Sequence, residues 1–132
     1  MSLTRMEHLL VLTDDIDRTR DFYCRALGLE QGERPPLAFP GYWLYVDDVP
    51  CIHVADRAAY TAHSEELGIP AAQGAVDHVA FSGNDYEEAL ARLEREGVEA
   101  ATNTVPSVGL RQLFLDDPNG LKIEINVMPR EE

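Results

Sequence analysis

The stretch RQLFLDDPNGLKIEIN, Arg111–Asn126, decides the fold that we expect for this chain. Two runs rich in large apolar residues flank its centre and predict strands over Gly109–Leu115 and Leu121–Met128. Between them, the DPNG segment (Asp117–Gly120) has proline second and glycine last, which is typical of a tight turn. In the second strand, isoleucines alternate with Glu124. Because successive strand side chains point to opposite faces, Glu124 is expected on the face away from the apolar core.

The residues before this hairpin predict a strand, a helix and another strand. Ala75–Ser82 has the apolar pattern of a strand and contains His78. Asn84 is positioned to cap the following helix, which Gly97 is expected to end. Val98–Thr104 then predicts a strand. This half of the chain therefore has the order strand, helix and three strands.

The first half of the chain predicts the same order of elements. Residues 6–13 form a compact apolar run that contains His8 and predicts a buried strand. Asp14 is expected to cap the next helix, and Gly28 is expected to end it in a left-handed conformation. Three further strands are expected at Leu29–Arg34, Gly41–Val46 and Cys51–Ala55.

Matching positions in the two halves indicate an internal duplication. The spacing from the first-strand histidine to the last-strand polar residue is nearly the same from His8 to His53 as from His78 to Glu124. We therefore predict one α+β domain over residues 1–132, built of two tandem βαβββ modules whose strands form a curved mixed sheet. The modules are expected at 1–57 and 75–132, with a connector at 58–74 that holds one or two helical turns.

Four polar side chains at these matching positions point to a metal site. Alternation places each of them opposite apolar neighbours, so a twofold-related pair of modules would bring them to one concave surface. Imidazole nitrogens and a carboxylate are suitable ligands for ferrous iron, zinc, nickel or manganese. Two histidines with one carboxylate also form the ligand set of many non-haem iron enzymes. The four residues are His8, His53, His78 and Glu124.

The charge balance argues against nucleic acid and membrane surfaces as partners. The 132 residues include 11 Lys and Arg against 24 Asp and Glu, which gives a formal net charge of −13. Such a chain lacks the excess of basic side chains that binding to phosphate requires. No apolar run approaches the roughly 20 residues of a membrane span, and the N-terminus does not resemble a signal peptide. The 2 cysteines have no metal-binding or redox spacing, so we expect a reduced, cytoplasmic protein.

The sequence resembles the vicinal oxygen chelate superfamily, which includes glyoxalase I, extradiol dioxygenases, fosfomycin-resistance enzymes and bleomycin-binding proteins. The resemblance extends over nearly the whole chain. It is strongest in the closing strand–DPNG–strand segment that contains Glu124 and in the FYCRALGL pattern at Phe22–Leu29. The segments WLYVDDVPCIHV (Trp43–Val54) and DHVAFS (Asp77–Ser82) are also similar to the family.

The resemblance implies a sheet that cups a divalent metal ion and binds a small-molecule substrate. Chains of this length are expected to form homodimers, in some members with the cup completed across the interface. The implied ligand core is His8, His78 and Glu124. His53 is implied as a fourth ligand or, with Glu124, as a catalytic acid/base group. The positions expected to line the substrate site are Trp43, Tyr45, Arg111 and Gln112.

The residue type at position 53 distinguishes between the activities that the resemblance implies. Glyoxalase-I-like enzymes are expected to have a glutamate there, whereas extradiol dioxygenases have an acid/base histidine in this region. We therefore favour Fe(II) and ring cleavage of an aromatic diol, although Phe114 stands where ring-cleaving enzymes are expected to have a tyrosine. A glyoxalase-I-like lyase or isomerase that uses zinc, nickel or manganese is the first alternative. A metal-free drug- or metabolite-binding protein of the bleomycin-resistance type is the second.

Overall fold

A computed structural model describes residues 5–69 and 78–129 of the chain. Within these residues the helices are Ile16–Leu27 (α1), Arg57–Glu66 (α2) and Tyr86–Arg95 (α3). The strands are Leu9–Thr13 (β1), Glu30–Gly32 (β2), Gly41–Val46 (β3), Val49–Asp56 (β4), His78–Gly83 (β5), Ala101–Val105 (β6), Leu110–Asp116 (β7) and Lys122–Val127 (β8). None of the helices described is long and apolar enough to cross a membrane.

The chain contains two four-stranded mixed sheets with the same strand order. In the first compact unit, which includes residues 5–24 and 28–69, the order is β1-β4-β3-β2. In the second unit, which includes 25–27 and 78–129, it is β5-β8-β7-β6. Each unit's first strand is parallel to its fourth, and the other neighbours are antiparallel. The repeated order confirms the predicted α+β class and the two βαβββ modules, each with its own sheet.

One face of the first sheet is buried on the side of α1. Leu44 and Ile52 are paired on this face and are 0% and 1% exposed. Tyr42 lies on the same face by strand alternation, and its hydroxyl donates a hydrogen bond to the Asp17 carboxylate of α1. The opposite face therefore carries the alternate residues of β3 and β4, among them His53.

The second sheet is organised in the same way around α3. Leu113 and Ile123 are both 0% exposed and lie on the same face of β7 and β8. Arg111 shares this face, and its guanidinium carbon lies 3.5 Å from the ring centroid of Tyr86 in α3. Since residues alternate along β8, Glu124 lies on the opposite face, as the sequence predicts.

The starts of α1 and α3 differ from the sequence prediction by one residue. Asp15 and Asp85 cap the two helices, and each carboxylate accepts a hydrogen bond from the backbone N–H three residues later, at 3.0 and 3.1 Å. The predicted caps, Asp14 and Asn84, are therefore wrong by one residue, because Asp15 and Asp85 are the residues with extended backbone whose side chains accept the free N–H groups. The prediction that Gly28 ends α1 is confirmed by its φ of 81°.

The connector forms a longer helix than predicted. α2 extends over 10 residues from Arg57, whereas one or two turns were expected. Asp56, the last residue of β4, caps it by accepting a hydrogen bond from the Ala59 N–H at 2.9 Å. This cap and the alanine-rich first turn explain why the helix begins directly at the strand end. The predicted start of the strand Ala75–Ser82 lies in residues 70–77, outside the residues described.

Candidate functional site

His78 and Glu124 lie next to each other on the face of the second sheet away from α3. β5 and β8 are parallel neighbours, and Ala80 is the direct partner of Glu124. His78 shares the face of Ala80 because it lies two residues earlier in the same strand. The His78 Nε2 atom is 3.9 Å from the Glu124 Oε1 atom. The two side chains are 41% and 16% exposed, so both are accessible to a small ligand.

A chain of side-chain hydrogen bonds holds the other oxygen of Glu124. The Asn126 Nδ2 group donates to Glu124 Oε2 at 2.7 Å. Asn126 Oδ1 in turn accepts from Gln112 Nε2 at 3.0 Å. Gln112 Oε1 accepts from Asn103 Nδ2 at 2.7 Å. The carboxylate is therefore fixed from one side, with Oε1 directed towards His78.

The sequence analysis gave no role to Asn103 and Asn126, the two asparagines in this series of hydrogen bonds. Alternation along β8 indicates that Asn126 shares the face of Glu124, so this residue was within reach of sequence reasoning. Asn103 joins the site only through the pairing of β6 with β7, where it is the direct partner of Gln112. The sequence predicts the strands but not this register, so it carries no signal for Asn103.

In the first unit, three rings form a parallel stack. The imidazoles of His8 and His53 have centroids 3.7 Å apart and planes 12° from parallel. Trp43 lies against the other face of His53, with a centroid distance of 4.1 Å and an interplanar angle of 10°. β3 and β4 bring Trp43 and His53 together as direct cross-strand partners. The structure therefore joins two predicted metal or catalytic residues to one predicted substrate residue.

The His53 imidazole is held in its neutral form. Burial lowers its pKa from 6.5 to about 4, and repulsion from the neighbouring His8 acts in the same direction. Its Nε2 atom lies 3.1 Å from the Pro50 carbonyl oxygen, which can only accept a hydrogen bond. Nε2 therefore carries the proton, and Nδ1 is the acceptor nitrogen of the neutral ring.

His78 and Glu124 suit two ligand positions of a divalent cation. Ligands about 2.0–2.2 Å from an ion, at angles of about 90–110°, lie roughly 3.0–3.4 Å apart. A small side-chain adjustment from 3.9 Å meets this requirement. By contrast, the lone pairs of His8 and His53 lie in nearly parallel ring planes, so they do not converge on one ion.

The structure brings the four predicted ligands together as two pairs, each within its own unit. His78 is paired with Glu124, and His8 is paired with His53. Over residues 5–69 and 78–129, no group of three or more His, Cys, Asp or Glu side chains is placed to hold a metal ion. The ligand set that combines His8 with the second pair therefore stays a prediction.

Arg111 and Gln112 do not share a surface. Gln112 lies on the face of Glu124, whereas Arg111 lies on the opposite face, against Tyr86 and 3.2 Å from the Glu87 carboxylate. Neighbouring strand residues point in opposite directions, so the two substrate-lining predictions cannot both hold on one face.

In the first unit, the Tyr45 hydroxyl donates to the Glu33 carbonyl oxygen at 2.7 Å.

Known proteins are similar to this chain over most of its length. The model of the glyoxalase/bleomycin resistance protein/dioxygenase superfamily matches residues 5–125. Glyoxylase I 4 from Arabidopsis thaliana is 30% identical over 129 residues, which are 95% of this chain and 71% of the relative. Lactoylglutathione lyase from Escherichia coli O157:H7 is 27% identical over 130 residues, 92% of this chain and 90% of the relative.

Solved structures show the same fold. Lactoylglutathione lyase from Agrobacterium tumefaciens superposes with a TM-score of 0.73 at 17% identity, covering 96% of both chains. A glyoxalase/dioxygenase from Nostoc punctiforme also gives 0.73 at 17% identity, covering 98% of this chain and 94% of the other. Together with the family match, they confirm the resemblance that the closing strand–DPNG–strand segment indicated. The chain belongs to the glyoxalase/bleomycin resistance protein/dioxygenase superfamily.

Proposed function

We propose that this protein is a divalent-metal-dependent lyase or isomerase of the glyoxalase I type. The observation that supports this is the His78–Glu124 pair, in which one carboxylate oxygen faces the imidazole and Asn126 holds the other. A carboxylate fixed in this way is suited to binding a cation, or to accepting a proton from a carbon next to a carbonyl group. The names of the relatives, a glyoxylase and a lactoylglutathione lyase, support the same class by similarity.

His78 and Glu124 would hold the metal, and the sequence predicts His8 as a further ligand. A bound divalent ion supplies a Lewis acid that stabilises negative charge on a substrate oxygen. Glu124 would take a proton from the carbon next to the carbonyl and return it to the neighbouring carbon. Zinc, nickel and manganese accept this mixture of nitrogen and oxygen ligands, and they are the metals that we propose for this reaction.

A surface cavity at the ends of β5 and β8, next to Asn126, is large enough for a small-molecule substrate, although neither His78 nor Glu124 lines it. Its volume is about 410 Å³, within the range of roughly 300–1,000 Å³ that is usual for small-molecule sites. Asn126, two residues after Glu124, forms part of its wall. Ser82, Asn84 and Met128 also contribute to the lining, so the cavity offers both hydroxyl or amide groups and an apolar surface.

Ring cleavage of an aromatic diol with Fe(II) is the second candidate, and the state of His53 favours it. The neutral imidazole has Nδ1 as an acceptor for a substrate proton, and the Trp43 ring lies beside it. We rank this candidate second because a pKa of about 4 makes the imidazole a weak base and because rings cover both of its faces.

We also propose a cytoplasmic homodimer, as expected from the resemblance of the sequence to single-domain members of the superfamily. The chain has a mass of 14.7 kDa, so light scattering during size-exclusion chromatography should give twice this value. A mass equal to that of one chain at micromolar concentration would contradict the dimer.

Metal reconstitution tests the proposed reaction. The protein is purified anaerobically, freed of metal with a chelator, and loaded separately with Zn²⁺, Ni²⁺, Mn²⁺ or Fe²⁺. Formation of the thioester from glutathione and methylglyoxal is followed by ultraviolet absorbance, and ring fission of catechol by the yellow product. We expect thioester formation with zinc, nickel or manganese. Yellow product with Fe²⁺ alone would favour the second candidate, and a failure to bind any of the four metals would contradict both.

A further inference from the structure

Three amide side chains form a straight row across three strands of the second sheet. Asn103 in β6 is the direct partner of Gln112 in β7, and Gln112 is the direct partner of Asn126 in β8. All three lie on the face that carries Glu124, because each is related to it by pairing or by alternation. The three amides are linked to one another and to the carboxylate by hydrogen bonds of 2.7, 3.0 and 2.7 Å.

The Glu124 carboxylate sets the direction of this row. An ionised carboxylate accepts hydrogen bonds and cannot donate them, so Asn126 must present its NH₂ group to Oε2. Its carbonyl oxygen then faces Gln112, which must present its own NH₂ group in turn. The same requirement orients Asn103. All three dipoles therefore point their positive ends at the carboxylate, and such aligned hydrogen bonds strengthen one another.

We propose that Asn103, Gln112 and Asn126 are positioning residues for the metal ligand Glu124, an inference that rests on the proposed function. By occupying Oε2, the row fixes the rotation of the carboxylate and keeps Oε1 turned towards His78. The geometry assigns Gln112 to this row, and its predicted contact with the substrate stays a prediction. Outer partners that orient a metal ligand change affinity by about 10- to 100-fold when they are removed.

Near-isosteric apolar substitutions test the row. Asn126→Leu and Gln112→Met keep the side-chain volume and remove the amide. Co²⁺ is titrated into metal-free protein and followed by its visible absorption. We expect Asn126→Leu to weaken Co²⁺ binding by about 10- to 100-fold and Gln112→Met by a smaller factor. Thr102→Val is the matched control, since Thr102 is exposed on the opposite face of β6 and should leave the affinity unchanged.

A second readout uses the metal-free protein, so that it does not depend on loading. In wild type, NMR should show slow solvent exchange of the Gln112 and Asn126 side-chain amides. In Gln112→Met, the Asn126 amide should exchange faster, whereas the backbone spectrum outside β6, β7 and β8 should be unchanged. Gln112 does not contact Glu124 directly but bonds to Asn126, which does. If Asn126→Leu does not fold, Gln112→Met can therefore still test the row.

The outcomes separate this inference from the proposed function. If wild type binds no Co²⁺, the proposed function fails and the positioning role fails with it. If wild type binds Co²⁺ and both substitutions leave the affinity within about twofold, the positioning role alone is overturned. A loss of Co²⁺ affinity that is largest in Asn126→Leu, smaller in Gln112→Met and absent in Thr102→Val would support the role of the row in orienting Glu124.

Discussion

The imidazoles of His8 and His53 lie parallel, with 3.7 Å between their centroids. Two charged imidazolium rings at this distance would repel each other, and a parallel pair does not direct its lone pairs at a common ion. Trp43 closes the other face of His53 at 4.1 Å. The first module therefore holds His8 and His53 in a ring stack, whereas the second module pairs a histidine with a carboxylate.

The pKa of His53 should make the stability of the fold depend on pH. Its folded-state pKa of about 4 lies below the ordinary value of 6.5. As the pH falls between these values, the unfolded chain takes up a proton that the folded chain does not, so the free energy of unfolding decreases. Urea unfolding at about pH 7 and about pH 4.5 should show a larger loss in wild type than in His53→Phe, which keeps a ring but does not titrate. An NMR titration midpoint of His53 near 6.5 would contradict this account.

Glu124 should be required for metal binding but not for folding. Glu124→Gln keeps the size of the side chain and removes its charge, and we expect a loss of Co²⁺ affinity greater than about tenfold, because a direct ligand matters at least as much as its outer partners. Thermal unfolding of the metal-free variant should stay close to that of wild type. Glu94→Gln, an exposed change on α3, is the control for charge alone. Equal affinities of the two variants would argue against Glu124 as a ligand.

Arg111 should contribute to stability and not to the metal site. Its guanidinium stacks on Tyr86 and pairs with Glu87 on the α3 side of the sheet. Arg111→Met should therefore lower the free energy of unfolding by about 0.5–1.5 kcal/mol, given the partial exposure of both contacts. Its Co²⁺ affinity should stay within about twofold of wild type, unlike that of Gln112→Met. A large loss of substrate turnover without a change in stability would instead support a substrate contact.

The cap of α3 offers a comparison between two adjacent residues. Asp85 accepts the Glu88 N–H at 3.1 Å, whereas Asn84 lies one position too early to do so. Asp85→Ala should lower the free energy of unfolding by about 1 kcal/mol. Asn84→Ala should change it by less than about 0.5 kcal/mol, as expected for an exposed site without such a contact. Chemical denaturation of the two variants side by side measures the difference, and equal values would contradict the assigned cap.

Leu113 should be one of the largest single contributors to the second core. It is 0% exposed, so Leu113→Ala removes buried apolar surface and leaves a cavity, which costs about 2–5 kcal/mol. Leu67→Ala is the control, because Leu67 is 61% exposed and should change the free energy of unfolding by less than about 0.5 kcal/mol. Urea denaturation monitored by circular dichroism tests both. A loss below about 1 kcal/mol for Leu113→Ala would show that the cavity collapses.

The sequence by itself determined the features that depend on local conformation. Alternation along β8 placed Glu124 away from the apolar face, and Gly28 ended α1 because a left-handed residue is needed there. The repeated order of strands and helix followed from apolar periodicity, which each segment carries independently. The sequence predictions of these features agree with the structure because the face of a strand residue and the end of a helix depend on only a few neighbouring residues.

The tertiary structure decided which residues meet. Strand register made Asn103, Gln112 and Asn126 one hydrogen-bonded row ending on Glu124. Packing between neighbouring strands also turned His53 into the centre of a ring stack. Register and packing join residues distant in sequence, and a strand's local pattern is satisfied by several pairings of equal periodicity. Alternation along the closing strand therefore predicted that Glu124 would face away from the apolar core, but only the assembled sheet fixed the partners of its two oxygens.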